Sequence, residues 1–531
     1  MRPMSEALPV LNGRTRTVVG IAVVAVVALG IVLRFFTHSA LWLDEALTVD
    51  RARLPLSQIA GSVKQDGAPP LFYYLLHFWM LVFGQSNLAT RSLSGVIGVI
   101  TLPVAWLAGN RFGGRAVAWT ALVLLASAPF AVYYSTEARM YALVILLTGC
   151  GFLALQRALS APKPGNLIAV ALVTAGLLYT QYWSLYLVGV VGLWLAVTGL
   201  VARRRGSPPE AWKPPLTALA AMAVGCILFV PWLPIFIYQS RYTGTPWAAP
   251  PNFAAVINAV TGFTANQGSL STAGTDQGRL LALIYFAMFG LALFGIGRSG
   301  RIIELDLRGR PRARGTSIAV VGTLFAAIAG GILTSSAFSP RYAAVVFLPL
   351  ILLVALGTAT FLNRRVRLAI VAIAVVAGMI GSLQNIDTQR TQSPRVATVI
   401  NTEARPGDIV AFCPDQIGPA VYRVVDHASR YSMVTFPRGT GPQFVDWVNY
   451  AKVVHAARVT AFAAKLMAAA GTVHRIWLVW QPGYQTYGAK CQVLASTLVS
   501  EPTLGAHTWV NSNPAKYYEP MNLTEFAPSA P

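Results

Sequence analysis

The sequence predicts a polytopic α-helical membrane protein with about eleven transmembrane helices and a C-terminal extracytoplasmic α/β domain. Of its 531 residues, 55% are hydrophobic and only 11% are charged, and the mean hydropathy of +0.57 is too high for a soluble protein. Its apolar runs repeatedly reach the roughly 20 residues that span a bilayer. These runs stop near residue 384, where proline, aspartate and mixed polar residues replace them. We therefore predict a membrane domain of residues 1–383 and a soluble domain of residues 384–531.

The net charge of +22 indicates how the chain is oriented in the membrane. In a soluble protein such a charge would suggest a nucleic-acid partner. Here arginine is concentrated in short loops between apolar runs, as the positive-inside rule predicts for cytoplasmic loops. The expected partner is thus the lipid bilayer of the plasma (inner) membrane, and no nucleic acid.

The apolar runs give the transmembrane segments directly. The first run follows a basic leader of residues 1–16, is longer than the core of a signal peptide and shows no small-residue cleavage site. We expect it to be a retained helix with its N-terminus in the cytoplasm. The predicted segments are 17–36, 89–109, 116–134, 140–155, 167–180, 183–201, 216–238, 280–297, 316–337, 342–361 and 368–383.

Segment 70–83 decides the topology. It is short, opens with a proline and is rich in aromatic residues, which favours an interfacial helix over a membrane span. If it crossed the bilayer, the basic loops at 202–205, 298–314 and 363–367 would all face outward, against the bias of Lys and Arg. We therefore place it on the outer surface. This choice leaves the basic loops inside and puts the C-terminus outside the cell.

The soluble domain begins after the last apolar run. Strand-like runs at 408–412 and 475–480, with a helix-like stretch at 451–470 between them, predict a small α/β unit. The topology places this unit outside the cell, where disulfides persist, and two of the four cysteines, Cys413 and Cys491, lie in it. We predict a disulfide between these two residues. No cysteine or histidine spacing suits zinc, so no metal site is predicted.

Two adjacent carboxylates, Asp44 and Glu45, closely follow the first transmembrane segment. Carboxylates are costly near hydrocarbon and are seldom kept there without a function. Since neighbouring residues of a regular helix or strand point in different directions, we expect the two to have different roles. A carboxylate here could act as a general base that accepts a proton from an attacking hydroxyl. Alternatively, the pair caps the helix that follows it.

A second polar motif lies in the same outer loop. Lys64 and Asp66 precede paired prolines and an aromatic helix. Proline fixes the direction of the chain and the aromatic residues fix its depth, so the two charged residues could lie over the head group of an amphiphile. The motif by itself favours the alternative, which is a helix start without a ligand.

Two arginines in outer loops run against the topological bias of arginine. Arg139 lies at a helix junction together with Glu137, and Arg341 lies in a very short loop. A bound phosphate or pyrophosphate would explain them, because guanidinium forms bidentate, charge-assisted hydrogen bonds with phosphate oxygens. The alternatives are a salt bridge to Glu137 or contact with lipid head groups, and the latter is our interpretation of Arg34.

The order of these motifs resembles the GT-C glycosyltransferases, especially the branch of the protein O-mannosyltransferases and the lipid A aminoarabinose transferase. The matching features are the outer Asp-Glu pair, an Asp before paired prolines, a Glu-Ala-Arg-x-Tyr junction at 137–141 and an Arg-Tyr pair at 341–342. The resemblance covers roughly residues 17–186, with the Arg-Tyr pair as an outlying match. It implies a GT-C-like helical bundle with interfacial helices in the first outer loop. Relatives often have a histidine before the paired prolines, where this chain has Gly67 and Ala68.

The resemblance also implies roles for individual residues. Asp44 corresponds to the general base, and Glu45 to a neighbour that supports the site or binds substrate. Arg139, Arg341 and Lys64 fall where contacts to the phosphate of a donor are expected. The other predicted substrate-binding residues are Asp66, Glu137, Tyr141, Tyr182 and Tyr342.

The implied activity is an inverting transfer of a sugar from a polyprenyl-phosphate donor to a hydroxyl of a cell-envelope glycan, lipoglycan or protein outside the cell. Phosphate is a good leaving group, so no cofactor is required, while a divalent metal stays open. The composition is rich in Ala, Val and Arg and poor in Lys, which suggests a high-GC bacterium such as an actinobacterium. Mannose and arabinose are both delivered on polyprenyl phosphate there, and we expect mannose first and arabinofuranose second.

Two other classes of protein compete with an enzyme. A transporter or flippase of lipid-linked sugars would carry polar residues near the bilayer midplane, whereas the ionisable residues here cluster at one surface. A membrane-anchored scaffold would use the outer domain to bind a partner. Sugar transfer that is lost in an Asp44→Asn variant would distinguish an enzyme from both.

Overall fold

The structure is a computed structural model that describes residues 13–244, 251–252, 254–265, 276–298, 302–334, 336 and 338–529. Most of the predicted leader (residues 1–12) and two residues of the predicted segment 316–337 lie outside this set. The α-helices up to residue 387 are α1 Gly13–Leu33, α2 Leu43–Ala52, α3 Leu56–Lys64, α4 Leu71–Phe83, α5 Asn87–Gly113, α6 Arg115–Ser127, α7 Pro129–Ser135, α8 Tyr141–Ser160, α9 Pro164–Thr180, α10 Ser184–Arg204, α11 Pro209–Phe229, α12 Leu233–Tyr242, α13 Ala254–Thr264, α14 Asp276–Phe294, α15 Pro311–Thr334, α16 Ala344–Thr358 and α17 Arg364–Asp387.

The predicted polytopic helical architecture is confirmed. In the described part of the chain, 9 helical stretches are long and apolar enough to cross a membrane. The bent pair α6–α7 and the 17-residue helix α9, at the short end of the spanning range, account for the other two predicted segments. Helix α16 is the most central of these stretches, since all of its residues are buried.

Three short helices occupy the loop between α1 and α5, as predicted. Helices α2, α3 and α4 have 10, 9 and 13 residues, too few to cross a hydrocarbon core of roughly 30 Å at about 1.5 Å per residue. Two other features were not predicted from the sequence. They are the short helix α13 and a two-stranded hairpin of β1 (Gly295–Gly297) and β2 (Ile303–Leu305).

A bend of 57° separates α6 from α7. Pro129 begins α7 and has no N–H, so the helix cannot continue through it and carbonyl groups at the end of α6 lose their helical partners. Arg34 supplies replacements, donating to the carbonyl oxygens of Leu125 and Ala126 at 2.8 and 3.1 Å. Arg34 is 1% exposed. It therefore does not reach lipid head groups, and our interpretation of it was wrong.

After α17 the chain forms the predicted α/β domain, and the domain boundary predicted between residues 383 and 384 stays a prediction. A five-stranded sheet has the order β5-β4-β6-β9-β7, in which β4 is parallel to β5 and β6 and β9 is antiparallel to β6 and β7. Strands β3 and β8 form a separate parallel pair. The elements are β3 Gln389–Thr391, α18 Ser393–Glu403, β4 Ile409–Cys413, α19 Gly418–Tyr422, β5 Ser432–Thr435, α20 Tyr450–Ala456, α21 Val459–Ala470, β6 Ile476–Trp480, α22 Lys490–Val499, β7 Leu504–Val510, β8 Tyr517–Glu519 and β9 Asn522–Pro528.

The single helix predicted at 451–470 is in fact two helices. Helices α20 and α21 meet at an angle of 74°, because Ala457 and Arg458 have extended backbone conformations. The Nζ atom of Lys490 donates to the carbonyl oxygens of His455 and Ala457 at 3.2 and 2.8 Å. The hydrogen bonds that a continuous helix would give these carbonyls are replaced by a lysine from a distant part of the domain.

A disulfide joins Cys413 at the end of β4 to Cys491 in α22, the pair named from the sequence. Their Cα atoms are 5.4 Å apart, within the usual range for a disulfide. The bond attaches α22 to the sheet at the end of a central strand.

Helix α2 belongs to the packing of both halves of the molecule. It follows the first membrane helix in the chain, yet Trp42, Leu43 and Leu47 are buried in the same hydrophobic cluster as Phe436 and Tyr450 of the soluble domain. The soluble domain thus packs directly on the helix that carries the Asp-Glu pair.

Candidate active site

Asp44 and Glu45 lie in the first turn of α2. Consecutive helical residues project about 100° apart, and Glu45 is fully buried while Asp44 faces a cavity. The different surroundings of the two carboxylates follow from this geometry. The start of the helix is capped from outside the pair, because Leu43 donates its backbone N–H to Oε1 of Glu519 at 3.3 Å. Trp42, the residue before the helix, has no capping side chain.

The cavity in front of Asp44 has a volume of about 980 Å³ and lies between the membrane domain and the soluble domain. Cavities of this size hold substrates or cofactors in other proteins. Six of the ten predicted catalytic and substrate-binding residues line it. These are Asp44, Asp66, Arg139, Tyr182, Arg341 and Tyr342.

Two guanidinium groups flank the Asp44 carboxylate. Nη1 of Arg341 donates to Oδ2 of Asp44 at 2.9 Å, and Nη2 of Arg139 lies 3.9 Å from the same oxygen. Arg139 is held in turn by Thr48, whose Oγ1 accepts from its Nη1 at 2.9 Å. The Arg341 guanidinium lies 5.7 Å from the centre of the Trp42 ring. The side chain of Asp44 keeps 17% of its surface exposed, so a small molecule in the cavity can reach it.

Glu45 forms a buried ion pair on the other side of the helix. Arg91 donates to both of its oxygens, at 2.7 and 2.6 Å, Nη1 of Arg390 lies 3.5 Å from Oε2, and Ala138 donates its backbone N–H at 2.9 Å. Burial raises the pKa of Glu45, but these cations and the N–H outweigh it and hold the pKa below its ordinary value. Ionised Glu45 therefore connects α2 to α5, to the 137–141 junction and to the start of the soluble domain.

Arg91 and Arg390 were missed from the sequence. Arg91 carried a signal that could have identified it, since an ionisable residue inside the predicted span 89–109 marks a special environment. Arg390 carried no such signal, because it follows the last membrane helix as one basic residue among other polar ones.

Glu137 lies behind Asp44 and outside the cavity. It is fully buried, and Nε1 of Trp42 donates to its Oε1 at 3.1 Å. Burial raises the pKa of Glu137 to about 7, against the opposing effect of Arg390. Its position supports Trp42, which in turn lies beside Arg341.

We expect Glu137 to make the protein less stable as the pH rises. An unfolded glutamate titrates near pH 4.3 and the folded one near 7, so the folded state holds the extra proton between these values. Stability that is fully present below about pH 4.3 is lost as the pH rises through 7, by up to roughly 4 kcal/mol. Glu137→Gln cannot ionise and should lose less stability between pH 5 and pH 8. Unfolding temperatures of the detergent-solubilised protein measure this.

The control for this pH effect is Glu210→Gln, which changes an exposed glutamate. It should follow the wild-type pH dependence. Parallel stability curves for wild type and Glu137→Gln over the same pH range would contradict the assignment to Glu137.

The loop that precedes the paired prolines is held in place by buried polar contacts. Asp66 pairs with Nη1 of Arg51 at 3.1 Å and accepts the hydroxyl of Tyr73. Lys64 does not line the cavity; its Nζ lies 4.0 Å from the centre of the Tyr238 ring. The structure thus separates Lys64 from the two arginines with which it was grouped as a phosphate ligand.

The predicted tyrosines have three different positions. Tyr182 lines the cavity, accepts a hydrogen bond from Nε1 of Trp232 at 2.9 Å and donates to Gln239. Tyr342 lies under Arg341, with its ring centre 5.5 Å from the guanidinium carbon. Tyr141 is fully buried beside Tyr134 and does not line the cavity.

The soluble domain closes the other side of the cavity with residues that sequence reasoning missed. They come from the loops after β4 and β6 and from the segment around β8. Across the described residues, no group of three or more His, Cys, Asp or Glu side chains is placed to hold a metal ion. The soluble-domain residues at the cavity include Gln416, Gln481, Tyr484, Gln485, Tyr518 and Glu519.

Comparisons with known proteins bear on this architecture. The family model for "Dolichyl-phosphate-mannose-protein mannosyltransferase" matches residues 67–235, and no curated protein shows significant sequence similarity. The crystal structure of ArnT from Cupriavidus metallidurans bound to undecaprenyl phosphate is 14% identical, with a TM-score of 0.58 over 96% of this chain and 98% of that one. The apo form of the same protein gives 15% identity and a TM-score of 0.57 over the same shares. Nearly the whole of both chains therefore shares one fold.

Proposed function

We propose that this chain, which has the GT-C fold implied by its sequence motifs, is an inverting glycosyltransferase. It would move a sugar from polyprenyl phosphate to a hydroxyl on the outer side of the plasma membrane. The observation that carries the proposal is the reachable carboxylate of Asp44 between two arginines at the wall of a cavity of about 980 Å³. A base and a phosphate site are the two components that this reaction needs.

Arg139 and Arg341 suit the phosphate of the donor. Both line the cavity, and their side chains are only 11% and 14% exposed, so their charges are weakly screened. The matching ArnT structure holds undecaprenyl phosphate, a lipid of the same chemical class as the proposed donor. That likeness supports a lipid phosphate as the ligand of this site.

The Asp44–Arg341 ion pair suggests how the donor prepares the base. While Arg341 donates to Oδ2 of Asp44 at 2.9 Å, that oxygen is engaged. The donor phosphate is a diester with one negative charge and two free oxygens that a guanidinium can bind in a bidentate geometry, and a second negative charge develops on it as the sugar leaves. Arg341 would turn from Asp44 to the phosphate as the donor binds. Asp44 is then free to accept the proton of the acceptor hydroxyl.

The chemical step is a single displacement at the anomeric carbon. The acceptor oxygen forms a bond to this carbon while the bond to the phosphate oxygen breaks, and the hydroxyl proton passes to Asp44. The polyprenyl phosphate leaves with the bonding electrons, and its developing charge is stabilised by Arg139 and Arg341. One displacement inverts the anomeric configuration.

Among donors we propose mannose first and arabinofuranose second, since the matching family model describes mannosyltransferases. The acceptor would be a cell-envelope glycan, lipoglycan or protein. The N-terminus would lie in the cytoplasm and the site and the soluble domain outside the cell, because this orientation keeps the arginine-rich loops inside.

Labelled donors test the proposal. Purified full-length protein is incubated with polyprenyl-phosphate mannose or arabinofuranose, each carrying ¹³C at the anomeric carbon, and with candidate acceptors from the cell envelope. We expect one donor to be consumed and its label to appear in a glycoside of inverted configuration by NMR. Retained configuration would overturn the single displacement. If the protein consumes none of a panel of polyprenyl-phosphate sugars with any acceptor class, the proposal that it is a glycosyltransferase is wrong.

A further inference from the structure

The two walls of the cavity differ in charge. The wall from the membrane domain carries Asp44, Arg139 and Arg341. Of the described residues that the soluble domain contributes, Glu519 is the one with an ordinarily charged side chain, and burial raises its pKa to about 8. That wall is therefore close to neutral at pH 7. Its polar groups are mainly the amides Gln416, Gln481 and Gln485 and the phenols of Tyr484 and Tyr518.

The topology of the sheet brings two of these amides, those of Gln416 and Gln481, to the same wall. Gln416 follows β4 and Gln481 directly follows β6, and these two strands are parallel neighbours. The carboxyl ends of parallel strands are the usual place for ligands in open α/β sheets. The two loops are tied together, since Gln481 donates its backbone N–H to the carbonyl oxygen of Cys413 at 3.0 Å.

Two glutamines that line the cavity each have a buried side-chain oxygen with no hydrogen-bond partner among the described residues. Oε1 of Gln481 belongs to the soluble wall, and Oε1 of Gln181 to the membrane wall. Gln181 is 3% exposed, and its Nε2 is already occupied by the carbonyl oxygen of Tyr342 at 3.3 Å. A buried acceptor without a donor is unfavourable. Both oxygens therefore suit a ligand that brings hydroxyl groups into the cavity.

We propose that the amide-rich wall of the soluble domain is an acceptor subsite for a neutral carbohydrate. This inference rests on the proposed function, whose acceptor class it narrows to a glycan. Sugar hydroxyls would donate to the free oxygens of Gln481 and Gln181, and Gln416 and the tyrosines would exchange further hydrogen bonds with the ring substituents. The rings of Tyr484 and Trp447, which also line the cavity, offer apolar faces for the carbon face of a sugar ring.

Other acceptors fit this wall less well. A phosphorylated or carboxylated acceptor needs cations, and the described residues of the wall include none. The arginines opposite are engaged with Asp44 and are assigned to the donor phosphate. An acyl chain would leave the amide oxygens of Gln481 and Gln181 unpaired. A glycan alone among these presents many hydroxyls and no charge.

A binding experiment that needs no catalysis tests the subsite. Saturation-transfer NMR of full-length protein in detergent, with a neutral oligosaccharide such as an α-linked mannan or arabinan fragment, should show contact with the sugar. Gln481→Ala should weaken its affinity roughly tenfold, since one hydrogen bond is lost. Gln181→Ala should act similarly from the opposite wall. The matched control is Gln443→Ala, an exposed glutamine of the same domain, which should bind as the wild type does.

The outcomes separate this subsite from the proposed function. Oligosaccharide binding that depends on Gln481, without transfer from any polyprenyl-phosphate sugar, would support the carbohydrate subsite and contradict the proposed glycosyltransferase activity. Transfer to a protein or an anionic lipid, with no oligosaccharide binding, would contradict the carbohydrate subsite and support the proposed glycosyltransferase activity. Equal binding by Gln481→Ala, Gln181→Ala and Gln443→Ala would also overturn the subsite.

Discussion

Asp44→Asn is expected to reduce sugar transfer by roughly 100- to 10,000-fold, the usual contribution of a general base. Asparagine keeps the shape of the side chain and can still accept a hydrogen bond from Arg341, but it cannot take the proton of the acceptor. The loss should appear in kcat, because the donor phosphate binds to the arginines and not to the carboxylate. Turnover of labelled donor by equal amounts of purified variant and wild type measures it.

Two further measurements make this result specific. Binding of polyprenyl phosphate should be retained or become tighter in Asp44→Asn, since the ion pair that competes for Arg341 is lost. Asp276→Asn, which changes an aspartate whose side chain is 99% exposed, should transfer sugar at the wild-type rate. Transfer by Asp44→Asn within tenfold of wild type would remove Asp44 from the role of base.

Glu45→Gln is expected to destabilise the fold by about 3–5 kcal/mol, the usual effect of breaking a buried ion pair. The change leaves Arg91 and Arg390 as buried cations without their carboxylate. Adjacent residues should thus give opposite results, because Asp44→Asn is folded and inactive whereas Glu45→Gln folds poorly. Unfolding of the detergent-solubilised variants by heat or denaturant, with wild type alongside, measures the difference.

The control for Glu45 is Glu403→Gln, which changes an exposed glutamate of the soluble domain and should leave stability unchanged. Adding Arg91→Gln to Glu45→Gln should recover part of the loss, because one uncompensated charge is removed. A Glu45→Gln variant that unfolds at the wild-type temperature would show that the Glu45 ion pair does not stabilise the fold.

The parts of the site that sequence could predict are those fixed by local pattern. Hydropathy and the distribution of arginine predict the spans, and so predict that Asp44, Arg139 and Arg341 lie on one side of the membrane. The bend between α6 and α7 could also have been predicted from Pro129, since proline breaks a helix. In the soluble domain, the two strand-like runs match β4 and β6 to within one residue.

The contacts that sequence could not predict join segments far apart in the chain. Glu519 and Gln416 belong to a domain whose docking on α2 depends on tertiary packing, and nothing in their local sequence marks them. Lys64 was wrongly grouped with the arginines because residues predicted to lie on the same side of the membrane need not be close to one another. At the break, the carbonyl oxygen of Ala457 accepts from a lysine more than thirty residues away, a partner that helical periodicity cannot predict.

The capping of α2 by Glu519 has a consequence for biogenesis. The bond from Leu43 to Glu519 spans 476 residues, and the bond from Arg390 to Ser39 spans 351. A nascent chain that has inserted all of its membrane helices still lacks β8, the cap of α2 and one wall of the cavity. The site is thus complete only after β8 has been made and has packed against α2. A chain that ends before β8 therefore holds no complete site.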